Sequence, residues 1–320
     1  MLQRFTRVLP VMAVLLGCLA TVYQAHAQAP AAIIAIDTAN RKVHVAGNAN
    51  QKRAVGGLAK IATTMVVLDW SEASKVNLNV LATVPDYAER IAGQTSLGLQ
   101  AGDKLTLRDL IYATMMGSDN VAAITLGHFV GADLLSRKGK TGDPLEEFVR
   151  NMNALAQREG CTGTRFMNPH GFENTHPQPY STAADMARLS LYATGRAPFH
   201  FYTNQGSRDI TIYRAGSTVK QQVRNTNSLL GTDRIDGIKT GNTPASGGCV
   251  AITADRPSTV VKLSDTTNNI YRHRMIVVVL GSPDPFGQAR GILHQAWSAY
   301  DAWMNAGRPI TDQKQLLTNF

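Results

Sequence analysis

Ile235-Asp236-Gly237-Ile238-Lys239-Thr240-Gly241 is a strand-length run that ends in a polar, glycine-closed turn. Two further strand-like runs follow it, Gly248 to Ala254 and Arg274 to Gly281, with turn residues between them. At the other end of the chain, Ala32 to Thr38 and Lys42 to Ala46 are short strands around Asn40-Arg41, which reads as a hairpin. The middle of the chain is helical. Leu58 to Trp70 has the spacing of a buried helix, broken afterwards at Ser71-Glu72. Gly102-Asp103 and Thr106 to Asp109 form a turn and helix start running to Met116, and another helix spans Val121 to Phe129. Pro144 to Arg158 follows an Asp143-Pro144 opening, and Thr182 to Thr194 is amphipathic. A last helix, Gln288 to Asn305, carries Ile292, Leu293, Trp297, Tyr300 and Trp303 at helical spacing. Strands at both ends with helices between them predict an α/β (α+β) domain: one sheet of terminal segments, covered by helices on both faces. No internal repeat or low-complexity linker divides the chain.

The chain opens like a secretory signal. Arg4 and Arg7 precede a mostly apolar run from Val8 to Tyr23, and Ala25-His26-Ala27 fits a small-x-small cleavage site. Residues 1–27 are therefore expected to be removed and the remainder exported to the periplasm or cell envelope. Leu15-Leu16-Gly17-Cys18 also matches a lipoprotein box, which would attach the chain through Cys18. No later apolar run approaches the ~20 residues needed to span a bilayer. The formal net charge is +9, which in an exported protein suits anionic envelope polymers; no aromatic-interleaved basic stripe argues for nucleic acid. Cys249 lies in the apolar run Gly247 to Ile252 and reads as a buried thiol. The last residues, Gly307 to Phe320, read as a frayed tail, although Leu316-Leu317 and Phe320 would also suit a membrane contact.

Three short segments carry chemistry: Gly57-Leu58-Ala59-Lys60, Ser118-Asp119-Asn120 and Lys239-Thr240-Gly241. The last two match elements of the set S-x-x-K, S-D-N and K-T-G, and the first keeps the lysine but has glycine in place of the serine. Acyl transfer by a serine needs an oxygen nucleophile, a base, an oxyanion pocket and a cradle for the substrate backbone. A lysine three residues along a helix shares a face with the nucleophile position, and it serves as base if burial and neighbouring cations lower its pKa. Lys239 would supply the second cation, Ser118 a hydroxyl that passes a proton, and Asn120 amide contacts to a bound peptide. Lys239-Thr240-Gly241 ends a strand whose backbone can pair with an extended peptide, with Lys239 and Thr240 placed for a terminal carboxylate. Each segment alone is weak, since S-D-N is also an ordinary helix cap and K-T-G an ordinary turn.

Taken in order, these segments resemble the D-alanyl-D-alanine carboxypeptidases, the low-molecular-mass penicillin-binding proteins. The resemblance runs from about Ala32 to Ala306. It includes Gly98 to Asp103 with Leu105-Thr106, Met152 to Ala156, Phe166-Met167-Asn168-Pro169-His170-Gly171, Asn225 to Gly231 and, most strongly, Asp236 to Gly241. It implies a β-lactamase/transpeptidase-like three-layer domain over residues 28–306, with an antiparallel sheet. It implies no cofactor, and a peptidoglycan stem peptide ending in D-Ala-D-Ala as partner. By resemblance the nucleophile position is Gly57, the base Lys60, the proton relay Ser118, the amide Asn120 and the electrostatic lysine Lys239. The backbone N–H groups of Gly57 and Asn242 would form the oxyanion pocket. A position often held by threonine is Ala59, and the carboxylate-facing arginine after the last strand has no match, with Pro285 near its place and Arg290 the nearest candidate.

Three readings follow: a carboxypeptidase with another nucleophile, a non-catalytic relative that binds stem peptides or a partner, and a β-lactamase-like hydrolase. The third lacks an E-x-x-L-N pattern after Ser118, whereas Asn168 to Gly171 points to carboxypeptidases. Losing the nucleophile of a serine hydrolase costs on the order of a million-fold in turnover, so impaired catalysis and only non-covalent contact with β-lactams are expected. Ser217-Thr218-Val219-Lys220 also spells S-x-x-K, but stands after Ser118, between helix and strand, and is read as chance. Thr63 is expected to be packed. His170, Glu173 and His176 are read as loop residues around the Asn168-Pro169 turn rather than as a metal site. Residue 57 is expected at a helix start, where serine is a favoured cap, so Gly57→Ser is expected to fold.

Overall fold

A computed structural model describes residues 31–93, 95–262 and 267–320; the signal segment and Cys18 lie outside the described residues. The first hairpin is β1 (Ala32–Asp37) and β2 (Val43–Gly47), turned at Arg41 in the left-handed region. A 3-10 turn, Gly56–Ala59, leads into α1 (Lys60–Ser74). Then come β3 (Leu81–Thr83), α2 (Ala88–Ala92), β4 (Lys104–Thr106), α3 (Leu107–Met115), α4 (Asn120–Arg137) and α5 (Pro144–Arg158). They are followed by α6 (Ala183–Thr194), α7 (Ala197–Phe201), β5 (Ser207–Arg214), β6 (Ser217–Arg224), β7 (Ile235–Thr243), β8 (Gly247–Lys262), β9 (Asn268–Ser282) and α8 (Pro285–Asn305).

The terminal strands form one antiparallel five-stranded sheet in the order β2-β1-β9-β8-β7. Alternation along its strands feeds two cores. Ile34, Ile36, Ala251, Ile276 and Val278 face the helical layer of α1, α3, α4 and α6, while Val250, Ile252, Met275, Val277 and Val279 face α8 through Leu293, Ala296 and Trp297. Strands covered on both faces read as continuous apolar runs, which is why β9 contains Met275 to Leu280 without a polar break. The expected three-layer α/β arrangement is the one observed.

Several elements differ from the sequence reading. α1 continues through Ser71-Glu72 to Ser74, because the Ser71 hydroxyl donates to the Val76 carbonyl (2.7 Å) and helps close the helix end. α4 runs on past Phe129 to Arg137. It passes Gly131 because α5 packs so near that a Cβ there would lie 1.9 Å from the Pro144 carbonyl oxygen. A second sheet, β3-β4-β5-β6, was not foreseen. Ser217-Thr218-Val219-Lys220 is therefore strand, not linker: it opens the exposed edge strand β6 and is absent from the cleft described below.

The tail is docked rather than frayed. Leu316 bridges to Lys42, the Leu317 N–H donates to the Arg41 carbonyl (2.8 Å), and Arg188 donates to the carbonyls of Leu317 (2.7 Å) and Phe320 (3.2 Å). Leu317 is 2% exposed. Leu317→Ala is expected to cost about 2–4 kcal/mol, as buried leucine truncations do, and to lower the melting temperature measurably. A frayed end would give a change within about 0.5 kcal/mol.

Candidate active site

α1, the start of α4 and the end of β7 meet at a cleft of about 1050 Å³. Gly57, Lys60, Ser118, Asn120, Thr240, Gly241 and Asn242 line it, and Lys239 lies beneath, 1% exposed. The loop before α4 is fixed through Asp119. One carboxylate oxygen accepts from the Ala122 N–H as helix cap (2.8 Å). The other accepts from Thr95 Oγ1 (2.7 Å), the Ser96 N–H (2.7 Å) and the Leu97 N–H (3.0 Å). This holds Ser118 at a positive φ of 56°, a conformation that costs a non-glycine residue energy unless its surroundings impose it.

Lys60 projects from the first turn of α1 and is 2% exposed. Its Nζ donates to Asn120 Oδ1 (2.6 Å) and to the His170 carbonyl (2.9 Å). Burial lowers its pKa to about 7, partly opposed by the carboxylates of Asp119 and Glu173. Lys239 donates to the Thr240 carbonyl (2.8 Å), and its pKa is held well below the usual lysine range by burial and then by the charge of Lys60. The same two causes lower His170 to about 3, so its imidazole is neutral at physiological pH. Asn120 is engaged at both ends, accepting from Lys60 and donating to the Ala92 carbonyl (2.7 Å). These two bonds use one of the two N–H groups of its amide and leave the other, and Asn120 still lines the cleft.

Position 57 departs most from expectation. It lies inside the 3-10 turn, with Val55 capping that turn and Ala59 at the cap of α1, so serine would have no capping role there. A Cβ on residue 57 would stand 2.7 Å from the Thr240 carbonyl oxygen and 3.0 Å from Ser118 Oγ. A Cβ on Gly241 would in turn stand 2.7 Å from the Gly57 nitrogen. The two glycines let the turn and the strand touch backbone to backbone. From the other side Gly171, at φ 84°, brings the Asn168–Gly171 loop against the turn, where a Cβ would lie 2.0 Å from the Gly56 carbonyl oxygen. Thr63 is buried as expected and ties the same loop down by donating to the Pro169 carbonyl (2.5 Å).

Sequence reasoning missed several cleft residues. Thr95 and Ser96 form a rim through their bonds to Asp119; Thr226 meets Thr240 hydroxyl to hydroxyl at 2.6 Å; and Phe172, Asp284 and Phe286 also line the cleft. The Asn225–Gly231 segment carried a signal for Thr226, but nothing local marked the others. Cys249 is a buried free thiol, pushed up to about 11 by burial, although it borders the cleft. Arg290 does not reach the cleft: it pairs with Asp233 (3.0 Å), and no arginine lines the cleft among the described residues. His170, Glu173 and His176 do not converge, and no group of three or more His, Cys, Asp or Glu among the described residues could hold a metal. No helix among them is long and apolar enough to cross a membrane.

A helix-borne lysine, a strained serine loop and a lysine strand around one cleft define the class of penicillin-interacting peptidases, here without an oxygen on residue 57. The chain belongs to the D-alanyl-D-alanine carboxypeptidase family, whose model matches residues 19–281. It is 31% identical over 223 residues to the D-alanyl-D-alanine carboxypeptidase DacC of Escherichia coli, covering 67% of this chain and 50% of that one. DacF of Bacillus subtilis is 25% identical over 87% of this chain and 64% of its own. The chain thus spans between half and two thirds of the length of these relatives. The crystal structure of a Streptomyces DD-transpeptidase shares the fold, with a TM-score of 0.68 at 23% identity over 83% of this chain and 96% of that one.

Two measurements test this geometry. Gly57→Ala should destabilise the protein by about 1–3 kcal/mol, since the added methyl forces rigid backbone apart; unchanged thermal stability would show that the turn and β7 are not in contact. The second concerns pH. A lysine whose folded pKa is lowered binds fewer protons folded than unfolded between the two pKa values, so its contribution grows more favourable as pH rises from about 7 toward 10.5. The stability of wild type relative to Lys60→Met should therefore improve by roughly 1 kcal/mol per pH unit across that window. A flat difference would place Lys60 in solvent.

Proposed function

We propose that this chain is a binding member of its family. It recognises peptidoglycan stem peptides ending in D-Ala-D-Ala in the cleft, without forming an acyl-enzyme. One observation carries the reading: residue 57 has no oxygen, and the Thr240 carbonyl stands 2.7 Å from where its Cβ would be. Family membership supports the peptide as ligand. In this reading the exposed backbone at the end of β7 pairs with the extended peptide. Asn242 and Gly57 offer N–H groups to a carbonyl, and Thr240 faces the terminal carboxylate with Ser118 beside it and Lys239 beneath. The protein acts in the cell envelope, reached through its N-terminal signal.

A second reading, low residual carboxypeptidase turnover, is favoured by Lys60, whose pKa of about 7 suits a general base. Binding and oxyanion contacts alone leave ~10³–10⁴ of acceleration in nucleophile-less serine hydrolases.

Incubation with a fluorescent penicillin should give no covalent adduct by intact mass. A D-Ala-D-Ala-ended peptide should bind reversibly by calorimetry, with no D-alanine released above about a millionth of a serine enzyme's rate. Thr240→Val should weaken binding several-fold by removing a hydroxyl from the cleft. A stoichiometric adduct would overturn the binding reading, and failure to bind the peptide would remove the stem peptide as ligand.

A further inference from the structure

β8 and β9 outrun both of their neighbours in the sheet. β7 pairs with β8 only as far as Ala254, and β1 pairs with β9 only as far as Met275. Beyond these points the two strands pair with each other alone, through Arg256↔His273, Thr259↔Tyr271, Val260↔Ile270 and Lys262↔Asn268. A two-stranded ribbon is marginal in water unless something packs against it. One face of this arm is tied to α8 and the chain beyond it. His273 Nδ1 and the Tyr300 hydroxyl are 2.7 Å apart, Arg256 donates to Asp301 (2.9 Å) and stacks over Trp297 (4.2 Å), and Arg308 lies over Tyr271 (5.6 Å).

Alternation places the neighbouring residues on the other face. Val260 and Ile270, direct cross-strand partners, are 58% and 62% exposed. On the same face stand Lys262 and Arg272, both exposed. Acidic groups near the root are already engaged, Asp255 by Arg234 (2.8 Å) and Asp236 by Arg274 (2.8 Å). Residues 255–274 hold four basic and two acidic residues. An aliphatic pair flanked by cations, on a projecting arm, has the amphipathic chemistry of an interfacial contact.

We propose that this face of the β8–β9 arm docks on an anionic phospholipid surface, with Val260 and Ile270 entering the interfacial region and Lys262 and Arg272 meeting headgroup phosphates. The partner is lipid rather than glycan because the most exposed side chains at the centre of the face are aliphatic, and it is anionic because basic residues outnumber acidic ones along the arm. The proposal is independent of the ligand assigned to the cleft.

The full chain is mixed with phosphatidylcholine vesicles containing increasing phosphatidylglycerol, and the bound fraction is read by sedimentation. Binding should rise with the phosphatidylglycerol fraction and fall with added salt. Each basic residue near an anionic surface is worth about fivefold in partitioning, so Lys262→Glu with Arg272→Glu should lower binding at least tenfold. Val260→Ser with Ile270→Ser should do the same. An Ile270→Trp variant should shift its emission to the blue on anionic vesicles only, which locates the contact even if a multiple variant folds poorly. Equal binding of wild type and both double variants would assign the affinity to the apolar N-terminal stretch and overturn the proposal. An unshifted emission from the Ile270→Trp variant, equal binding to neutral vesicles, or a lipid-free dimer lost in Val260→Ser with Ile270→Ser would also overturn it, the last assigning the face to a second copy.

Discussion

A lysine ammonium buried under the cleft floor organises this molecule. Taking such a charge out of water costs several kcal/mol unless hydrogen bonds replace its hydration. Lys60 recovers part of that cost from Asn120 Oδ1 and the His170 carbonyl, and the remainder appears as a pKa near 7. Those two acceptors belong to α4 and to the Asn168–Gly171 loop, so satisfying one side chain of α1 fixes three separate segments against each other. Asn120 passes the constraint on to Ala92, and Asp119 beside it gathers Thr95, Ser96 and Leu97. The cleft rim is therefore set by hydrogen bonding around one cation, and the apolar layers of the sheet supply the platform on which it stands.

The glycine at position 57 belongs to the same arrangement. Gly57, Gly241 and Gly171 bring two backbones, the end of β7 and the Asn168–Gly171 loop, into contact with the 3-10 turn, and each would lose that approach with a side chain. The carbonyl that closes on residue 57, that of Thr240, also accepts from Lys239. The strand end, the second buried lysine and the missing side chain are thus mutually adjusted. A glycine left in an otherwise unchanged serine site would leave room for the Cβ it lacks. Here the neighbouring backbone stands where that atom would need clearance, so a side chain at position 57 requires the turn or the strand end to shift.

How much of this was legible in the chain follows from which interactions are local. α5 was read to the residue because Asp143-Pro144 caps it, with Asp143 accepting from the Leu145 N–H (2.7 Å). The terminal strands were legible because burial on both faces leaves uninterrupted apolar runs. The second sheet was not. β3 and β4 are three residues each, and among the eight residues of β6 only Val223 is buried, so no periodic pattern marks them. The docked tail was illegible for a similar reason: Leu317 is held largely through backbone carbonyls, which carry no residue signature.

The candidate site divides along the same line. Lys60, Ser118, Asn120 and Lys239 were legible as candidates because S-D-N, K-T-G and a lysine three residues after position 57 stand in the order of one motif set. The contact at Gly57 depends on where β7 ends relative to a turn far from it in sequence, and glycine's identity alone does not distinguish a lost oxygen from a required close approach. Arg290 shows the converse. It stands near the place where an arginine would be sought, yet Asp233, in the turn before β7, already holds it. Asp284, Pro285 and Phe286 line the cleft instead, and the lysine of β7 lies beneath it.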